Sequence, residues 1–457
     1  MKKIPFAVVK MLNIILLWIP FLGCWGLYYE QRTTTVGSRQ VTVLVLFTFL
    51  ALCYYFCQKL DCFRVSILQI RDLVFGQVLS LMITDAIMYI LIWMLSIHIP
   101  NILPGLATWI IQCLVGTIWA YIMHKSYFAT HPPLKTVVIY DERVGMENLI
   151  HTYGLQKRFE IVNTYAVEDI IDKLEVIDNM QAVFLCGIHS TERNIILKHC
   201  TFKGIKMFMI PRISDVMMRG SEQIHMLHLP ILKNQRYKPS PEYLVVKRMS
   251  DIVISGVAFI VLSPLFLITA IAVKSDGGPA FYKQKRLTKD GKVFEIIKFR
   301  SMRVDAEKFS GAVLSSGEND PRITKVGRII RACRLDEIPQ LLNILKGDMS
   351  LVGPRPERPE IQKKIEEEVP EFGLRLQAKA GLTGYAQVYG KYNTTFYDKL
   401  LMDLMYIAKP GILEDLAIML ATVKILTSKE STEGVGESSN ELERRDGKKK
   451  VDEEREC

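Results

Sequence analysis

Four apolar runs precede residue 125. Met11–Tyr29 and Gln40–Gln58 carry no charge over 19 residues each, Leu73–Ile97 carries only Asp85, and Ile99–Met123 carries none. Each is long enough to cross a hydrocarbon core of about 30 Å as a helix, so the pattern predicts four transmembrane helices. The first run lacks a small-residue cleavage site and another span follows closely, so it reads as a span rather than a signal peptide. From Lys135 the pattern changes. Thr136–Tyr140, Phe159–Thr164, Ala182–Gly187 and Ile205–Ile210 are short apolar runs with helix-length segments between them. Such alternation predicts a parallel α/β sheet. A fifth uncharged stretch, Ile252–Val273, is 22 residues long and has Ser263-Pro264 at its centre.

Charge sets the topology. Lys2, Lys3, Lys10, Lys59, Arg64, Arg71 and Lys125 place both ends of the bundle in the cytoplasm, with Arg32 and Arg39 as the exception. Asp85 has no second charge in the bundle to pair with and reads as a helix–helix hydrogen-bonding residue. Both flanks of Ile252–Val273 are basic, with Lys247 and Arg248 before it and Lys274, Lys283, Lys285 and Arg286 after. A straight span would put one cluster on the wrong side. Proline breaks a helix, so the stretch is expected to form a re-entrant hairpin. The fold class is therefore a membrane protein, α plus α/β. A four-helix transmembrane bundle (1–128) precedes a Rossmann-like α/β domain (129–240) and a third α/β domain with a re-entrant hairpin (241–426, hairpin 250–274), in which the candidate chemistry below gathers. The Ser/Glu/Lys-rich segment 427–457 lacks apolar periodicity and is expected to be a disordered tail.

The α/β domain at 129–240 has no glycine-rich loop after its first strand. That turn reads Tyr140-Asp141-Glu142-Arg143-Val144-Gly145, and two carboxylates would repel a pyrophosphate. It reads as a packing or oligomerisation module. The nine cysteines are odd in number and form no CxxC; they are expected to be isolated reduced thiols.

Candidate chemistry gathers after the hairpin. Lys274–Arg334 holds 15 basic and 7 acidic residues, which suits anionic lipid or a phosphate-handling site. In Phe294–Met302 (FEIIKFRSM), Lys298 and Arg300 alternate with apolar residues, as on a strand with one wet face. In Asn319–Arg331, Asp320-Pro321 signals a turn, after which Arg328, Arg331 and Arg334 recur at helical spacing and share a face. Guanidinium groups suit phosphate. Leu335-Asp336-Glu337 follows: two adjacent carboxylates that could hold a divalent cation or supply a nucleophile toward phosphorus. Gly347–Glu357 (GDMSLVGPRPE) then places Arg355 between two prolines, a rigid donor.

These motifs, with the later GLTGYAQVYG, resemble the bacterial sugar transferase family, the monotopic polyprenyl-phosphate phosphoglycosyl transferases. The likeness covers about Tyr243–Leu426, and the segments ahead of it resemble the long-chain subgroup that starts O-antigen, capsule or exopolysaccharide units. The resemblance implies transfer of a sugar 1-phosphate from a nucleoside diphosphate sugar, expected to be a UDP-sugar, to polyprenyl phosphate, usually undecaprenyl phosphate, releasing nucleoside monophosphate, in the bacterial inner membrane with the catalytic domain on the cytoplasmic side. Asp336 corresponds to the nucleophile of an aspartyl phosphosugar intermediate, Glu337 to its partner, and the pair to the ligands of Mg2+. Arg331 and Arg355 match phosphate-binding positions, and Lys298, Arg300 and Arg328 join them as candidates. Ser263-Pro264 matches the family's helix break. Membrane lipid is an expected partner, nucleic acid is not, and homodimer formation is left open. The chain departs from the family where Ala380 replaces a proline, which should loosen that turn, and where Arg334 replaces a small residue. Two other readings compete: a glycosyltransferase that moves the sugar without its phosphate, and a catalytically silent scaffold or regulator of polysaccharide assembly.

Overall fold

The computed structural model describes residues 6–33, 38–275, 277–304, 322–390, 394–426 and 443–444. The chain forms two compact units: Met1–Val137 with Ile150–Asn163 and Asn179–Ala182, and Val138–Leu149 with Thr164–Asp178 and Val183–Cys457.

In the first unit, α1 (Phe6–Cys24, continued by a π-helical turn Trp25–Tyr29), α2 (Arg39–Lys59), α3 (Ile70–Leu95) and α4 (Leu103–Thr130) cover most of the four apolar runs, and each span, the first taken over Ala7–Arg32, is long and apolar enough to cross a membrane. Small residues let these helices approach closely: a Cβ on Gly116 of α4 would lie 2.3 Å from Gln77 Oε1 of α3. Gln112 donates to the Leu17 carbonyl at 2.9 Å, tying α4 to α1. Asp85 does not behave as expected, because its Oδ2 is buried without a hydrogen-bond partner among the described residues.

A four-stranded sheet is built from β1 (Leu134–Tyr140), β2 (Phe159–Ala166), β3 (Ala182–Cys186) and β4 (Lys206–Met209), in the order β2-β1-β3-β4. Helix α5 (Ser190–Lys203) lies between β3 and β4, and α6 (Ile213–Arg219) follows β4. The consecutive buried positions Val137, Val138 and Ile139 of β1 explain its unbroken apolar run. A hairpin of β5 (Glu222–Met226) and β6 (Leu229–Lys233) was invisible in the pattern. Its turn uses Leu227 and His228 at φ +58° and +60°, where asparagine or glycine is the usual signal. In the tail, Glu443–Arg444 pairs antiparallel with Arg143–Val144; the rest of the expected disordered segment lies outside the described residues.

The second unit contains the bent pair α7 (Pro241–Val261) and α8 (Ser263–Lys274), which meet at 64°. Pro264 cannot donate to the Ile260 carbonyl. The Ser263 hydroxyl takes that acceptor instead, at 2.7 Å, and Pro264 falls in the first turn of α8, where a missing N–H costs nothing. Ile260, Val261, Leu267, Ile268 and Ile271 expose apolar side chains around the bend. The polar half of α7 is anchored elsewhere in the unit. Arg248 donates to the carbonyls of Ile344 and Leu345 at 2.6 and 2.7 Å, and Asp251 accepts from Leu351 N–H at 2.9 Å.

Lys247 reaches Asp415 at 2.8 Å, with side chains only 14% and 8% exposed, and Tyr243 and Tyr406 donate to the same carboxylate. Removing one partner of a buried pair leaves a charge uncompensated. Asp415→Ala is therefore expected to destabilise this unit by about 3–5 kcal/mol. Urea unfolding in detergent would measure it, and a loss under about 1 kcal/mol would show that water reaches Lys247.

Beyond the bent pair come β7 (Phe281–Leu287) and β8 (Val293–Phe299), paired antiparallel, then α9 (Lys325–Ala332), α10 (Gln340–Lys346), β9 (Ser350–Val352), β10 (Gly381–Thr383), α11 (Phe396–Ala408) and α12 (Ile412–Leu426). Strands β9 and β10 pair in parallel. Their core gathers Ile344, Met349, Phe372, Leu400 and Ile418, and Val216 of α6 joins it.

Candidate active site

Lys298 stands on β8, opposite Tyr282 of β7. Helix α10 fixes that strand: Asn343 accepts from Ile297 N–H at 3.0 Å and donates to the Glu295 carbonyl at 2.8 Å. Helix α9 begins at Thr324, whose hydroxyl caps Gly327 N–H at 2.9 Å. Only glycine fits at 327, because a Cβ there would sit 1.9 Å from the Ser301 carbonyl oxygen. The contact brings α9 against the chain just past β8.

After α9 the chain reverses at Arg334, which is left-handed at φ +54°. This corrects the expectation of three arginines on one helix face: α9 ends at Ala332, so Arg334 lies beyond it. The reversal also explains why a small residue would suit position 334. The 3₁₀ turn Leu335–Glu337 follows. Leu335 and Ile338 pack into an apolar cluster with Val273 of α8, Phe299 of β8 and Ile330 of α9. Those two apolar contacts hold the turn, and with it the carboxylates of Asp336 and Glu337, beside the second helix of the bent pair.

Glu337 Oε1 accepts from Lys298 Nζ and from Arg355 Nη2, each at 3.0 Å. Burial alone would raise the Glu337 carboxyl, but Lys298 and Arg355 outweigh it and hold the group well below the usual carboxylate range. Asp336 shifts the other way. Burial raises it, and the neighbouring Glu337 charge adds to the rise against the pull of Lys298, Arg331 and Arg355. One carboxylate is thus spent on two cations, and its neighbour is the more basic oxygen of the pair. Arg355 is raised, chiefly by Glu337.

The structure brings Asp336, Glu337, Lys298 and Arg355 together. Arg331 is close enough to act on the Asp336 charge, whereas Arg328 is exposed. Arg300 is not on a wet face: it is buried, and its guanidinium donates to the carbonyls of Val273 and Pro279 at 3.0 Å each. It closes the C-terminal end of α8 rather than facing Glu337. Asp320 and Pro321 lie outside the described residues. Ala380 does not loosen its turn. Its N–H donates to Thr288 Oγ1 at 3.1 Å, a bond proline could not make, and its carbonyl accepts from Ser350 N–H at 2.9 Å. Sequence reasoning missed Arg286, Arg375 and Asp403. Asp403 carried a signal, since it is the lone charge inside the apolar run Leu400–Ala408.

Among the described residues no group of three or more acidic, histidine or cysteine side chains gathers to cage a metal. The adjacent pair Asp336 and Glu337 suits a different arrangement, in which a hard cation takes one or two carboxylates and completes its shell with substrate phosphate oxygens and water.

The family described as Bacterial sugar transferase matches residues 242–429. The chain is 36% identical over 236 residues to the UDP-N-acetylgalactosamine-undecaprenyl-phosphate N-acetylgalactosaminephosphotransferase of Aeromonas hydrophila, over 50% of this chain and 54% of that relative. It is 34% identical over 258 residues to the undecaprenyl-phosphate galactose phosphotransferase of Salmonella typhimurium, over 52% of each. With the UDP-glucose:undecaprenyl-phosphate glucose-1-phosphate transferase of Caulobacter vibrioides it shares 39% identity over 186 residues, 39% of this chain and 69% of that relative. The chain thus spans about half the length of the first two and over two thirds of the third.

Proposed function

This chain belongs to the bacterial sugar transferase family, and on that premise we propose that it transfers a sugar 1-phosphate from a UDP-sugar to undecaprenyl phosphate. The observation that carries the reading is the division of labour between the two carboxylates. Glu337 is locked to Lys298 and Arg355, and Asp336 beside it is left more basic. In the first step an Asp336 oxygen attacks the β-phosphorus. The bond from that phosphorus to the bridging oxygen breaks, and nucleoside monophosphate leaves with the electron pair. In the second step a phosphate oxygen of the lipid attacks the same phosphorus and releases Asp336, giving a polyprenyl diphosphate sugar. Lys298 and Arg355 supply fixed positive charge where the diphosphate must lie. Mg2+ held by Asp336 and Glu337 would offset the donor's charge.

The sheet β2-β1-β3-β4 fits a Rossmann-like packing module, and the bent α7–α8 pair fits a re-entrant hairpin in the bacterial inner membrane with the carboxylates on the cytoplasmic face. On this reading the reaction is the first membrane step of exopolysaccharide, capsule or O-antigen synthesis, and a relative named Exopolysaccharide production protein ExoY, of Sinorhizobium fredii, 36% identical over 193 residues, supports it. The test is a panel of UDP-glucose, UDP-galactose and UDP-N-acetylgalactosamine with undecaprenyl phosphate and Mg2+, scored for UMP. Release of UDP instead would select a glycosyltransferase, and no turnover of any donor would favour the scaffold.

The pH dependence has a definite sign. The Glu337 charge raises Asp336, while Lys298, Arg331 and Arg355 oppose it. Glu337→Gln removes the raising charge and leaves the cations unbalanced, so Asp336 falls. The acid limb of the residual turnover should move to lower pH, read from kcat/KM profiles of the two proteins. A shift to higher pH would mean that another group governs the limb.

A further inference from the structure

Arg355 can face Glu337 only if the turn that carries it stays put. The carbonyls of four consecutive residues in that turn are each taken. Pro354 O accepts from Gly381 N–H at 2.9 Å and Glu357 O from Leu287 N–H at 2.9 Å. Arg355 O accepts from Arg375 Nη2 at 2.8 Å, and Pro356 O from Arg286 Nη1 at 3.1 Å. Two of the four are thus held by guanidinium groups from behind. Arg375 is itself fixed. Its Nε donates to Asp403 Oδ2 at 2.8 Å, and the two side chains are only 4% and 2% exposed. Burial pushes the Asp403 carboxyl up, and Arg375 pulls against that rise.

The proline rings narrow this turn without fixing it. Pro354 and Pro356 have fixed φ, and Pro356 keeps residue 355 extended. The extended region still spans tens of degrees in φ and ψ at residue 355, and ψ within that range sets the tilt of the Arg355 carbonyl relative to its side chain. Arg375 grips that carbonyl.

We infer that Arg375, locked by Asp403, is a positioning residue that sets the Arg355 guanidinium against Glu337. This rests on the reading above that Arg355 serves the transferred phosphate. A purely stabilising role accounts poorly for the arrangement, because a buried arginine–carboxylate pair contributes little over an apolar pair of the same volume, while Nη2 of the same guanidinium donates to the turn.

The experiment is a double-mutant cycle on the full-length protein, read as UMP release with undecaprenyl phosphate and the UDP-sugar that turns over best. Arg375→Lys keeps the charge facing Asp403 but shortens the reach to the turn. It should lower kcat by about 10–100-fold, the cost of a small misplacement, with KM for the lipid changed less than about threefold. In an Arg355→Ala background, itself impaired, the same substitution should cost less than about threefold, because there is no guanidinium left to position. The pair Arg375→Met with Asp403→Leu removes the grip without leaving a buried charge, and should show the same two results if Arg375→Lys folds poorly. Equal losses in both backgrounds would overturn the positioning role while leaving the proposed reaction intact. Full turnover by Arg355→Ala alone would overturn the positioning role together with the part of the reading given to Arg355.

Discussion

Asp336→Asn is expected to release no nucleoside monophosphate above background, a loss of at least about 1000-fold. Asparagine fits the same space but has no anionic oxygen to form a bond to phosphorus. The turn itself should survive, because Leu335 and Ile338, not Asp336, pack it against Val273, Phe299 and Ile330. The variant should therefore extract and melt like the parent protein, so that lost turnover reports chemistry. Glu337→Gln should fall less far. It keeps an acceptor for Lys298 and Arg355 but gives up the charge that holds both at 3.0 Å. The measurement is UMP release under single-turnover conditions, together with a search for phosphosugar bound to the protein. Turnover by Asp336→Asn within tenfold of the parent would remove this carboxylate from the nucleophile's role.

The sequence made the site legible where chemistry and spacing coincide, and opaque where the chain folds back on itself. Asp336-Glu337, Lys298 and Arg355 each sit in a short motif, and the fold brings all four together. Arg300 sat in the same motif and went elsewhere, because a strand's alternation gives the face and not its cover: the Val273 carbonyl at the end of α8 and the Pro279 carbonyl beyond it face it. Arg334 misled for a different reason. Helical spacing continues past Cys333, but Leu335 and Ile338 gain more by returning to the apolar cluster than by extending α9, and the left-handed residue is the means. Arg375 and Asp403 are 28 residues apart in sequence. Nothing local pairs them; only the burial of a lone aspartate in an apolar helix hints that a cation must meet it. The spans were the easiest part, since 20 uncharged residues leave a chain few alternatives in water.

The bent pair gives the largest effect after the proposed nucleophile. If α7 and α8 enter and leave the same leaflet, residues before and after them share the cytoplasmic face. Lys247 is a poor place for a reporter because it is buried against Asp415. Leu244, 45% exposed, and Lys283, with a side chain 61% exposed, are better. Single cysteines at these two positions, with all other cysteines replaced, should both react with a membrane-impermeant maleimide from the cytoplasmic side only. Pro264→Leu should change that result. Leucine restores the N–H that can bond Ile260 O, relieves Ser263 of that acceptor, and lets the uncharged stretch Ile252–Val273 form one continuous helix long enough to span. Part of the protein should then label at 244 and 283 from opposite faces. Turnover should fall by the same fraction, because the carboxylate turn packs on α8 and travels with it. Opposite-face labelling in the protein that still has Pro264 would end the hairpin reading. It would also put Asp336 on the far side of the membrane from any cytoplasmic nucleotide sugar.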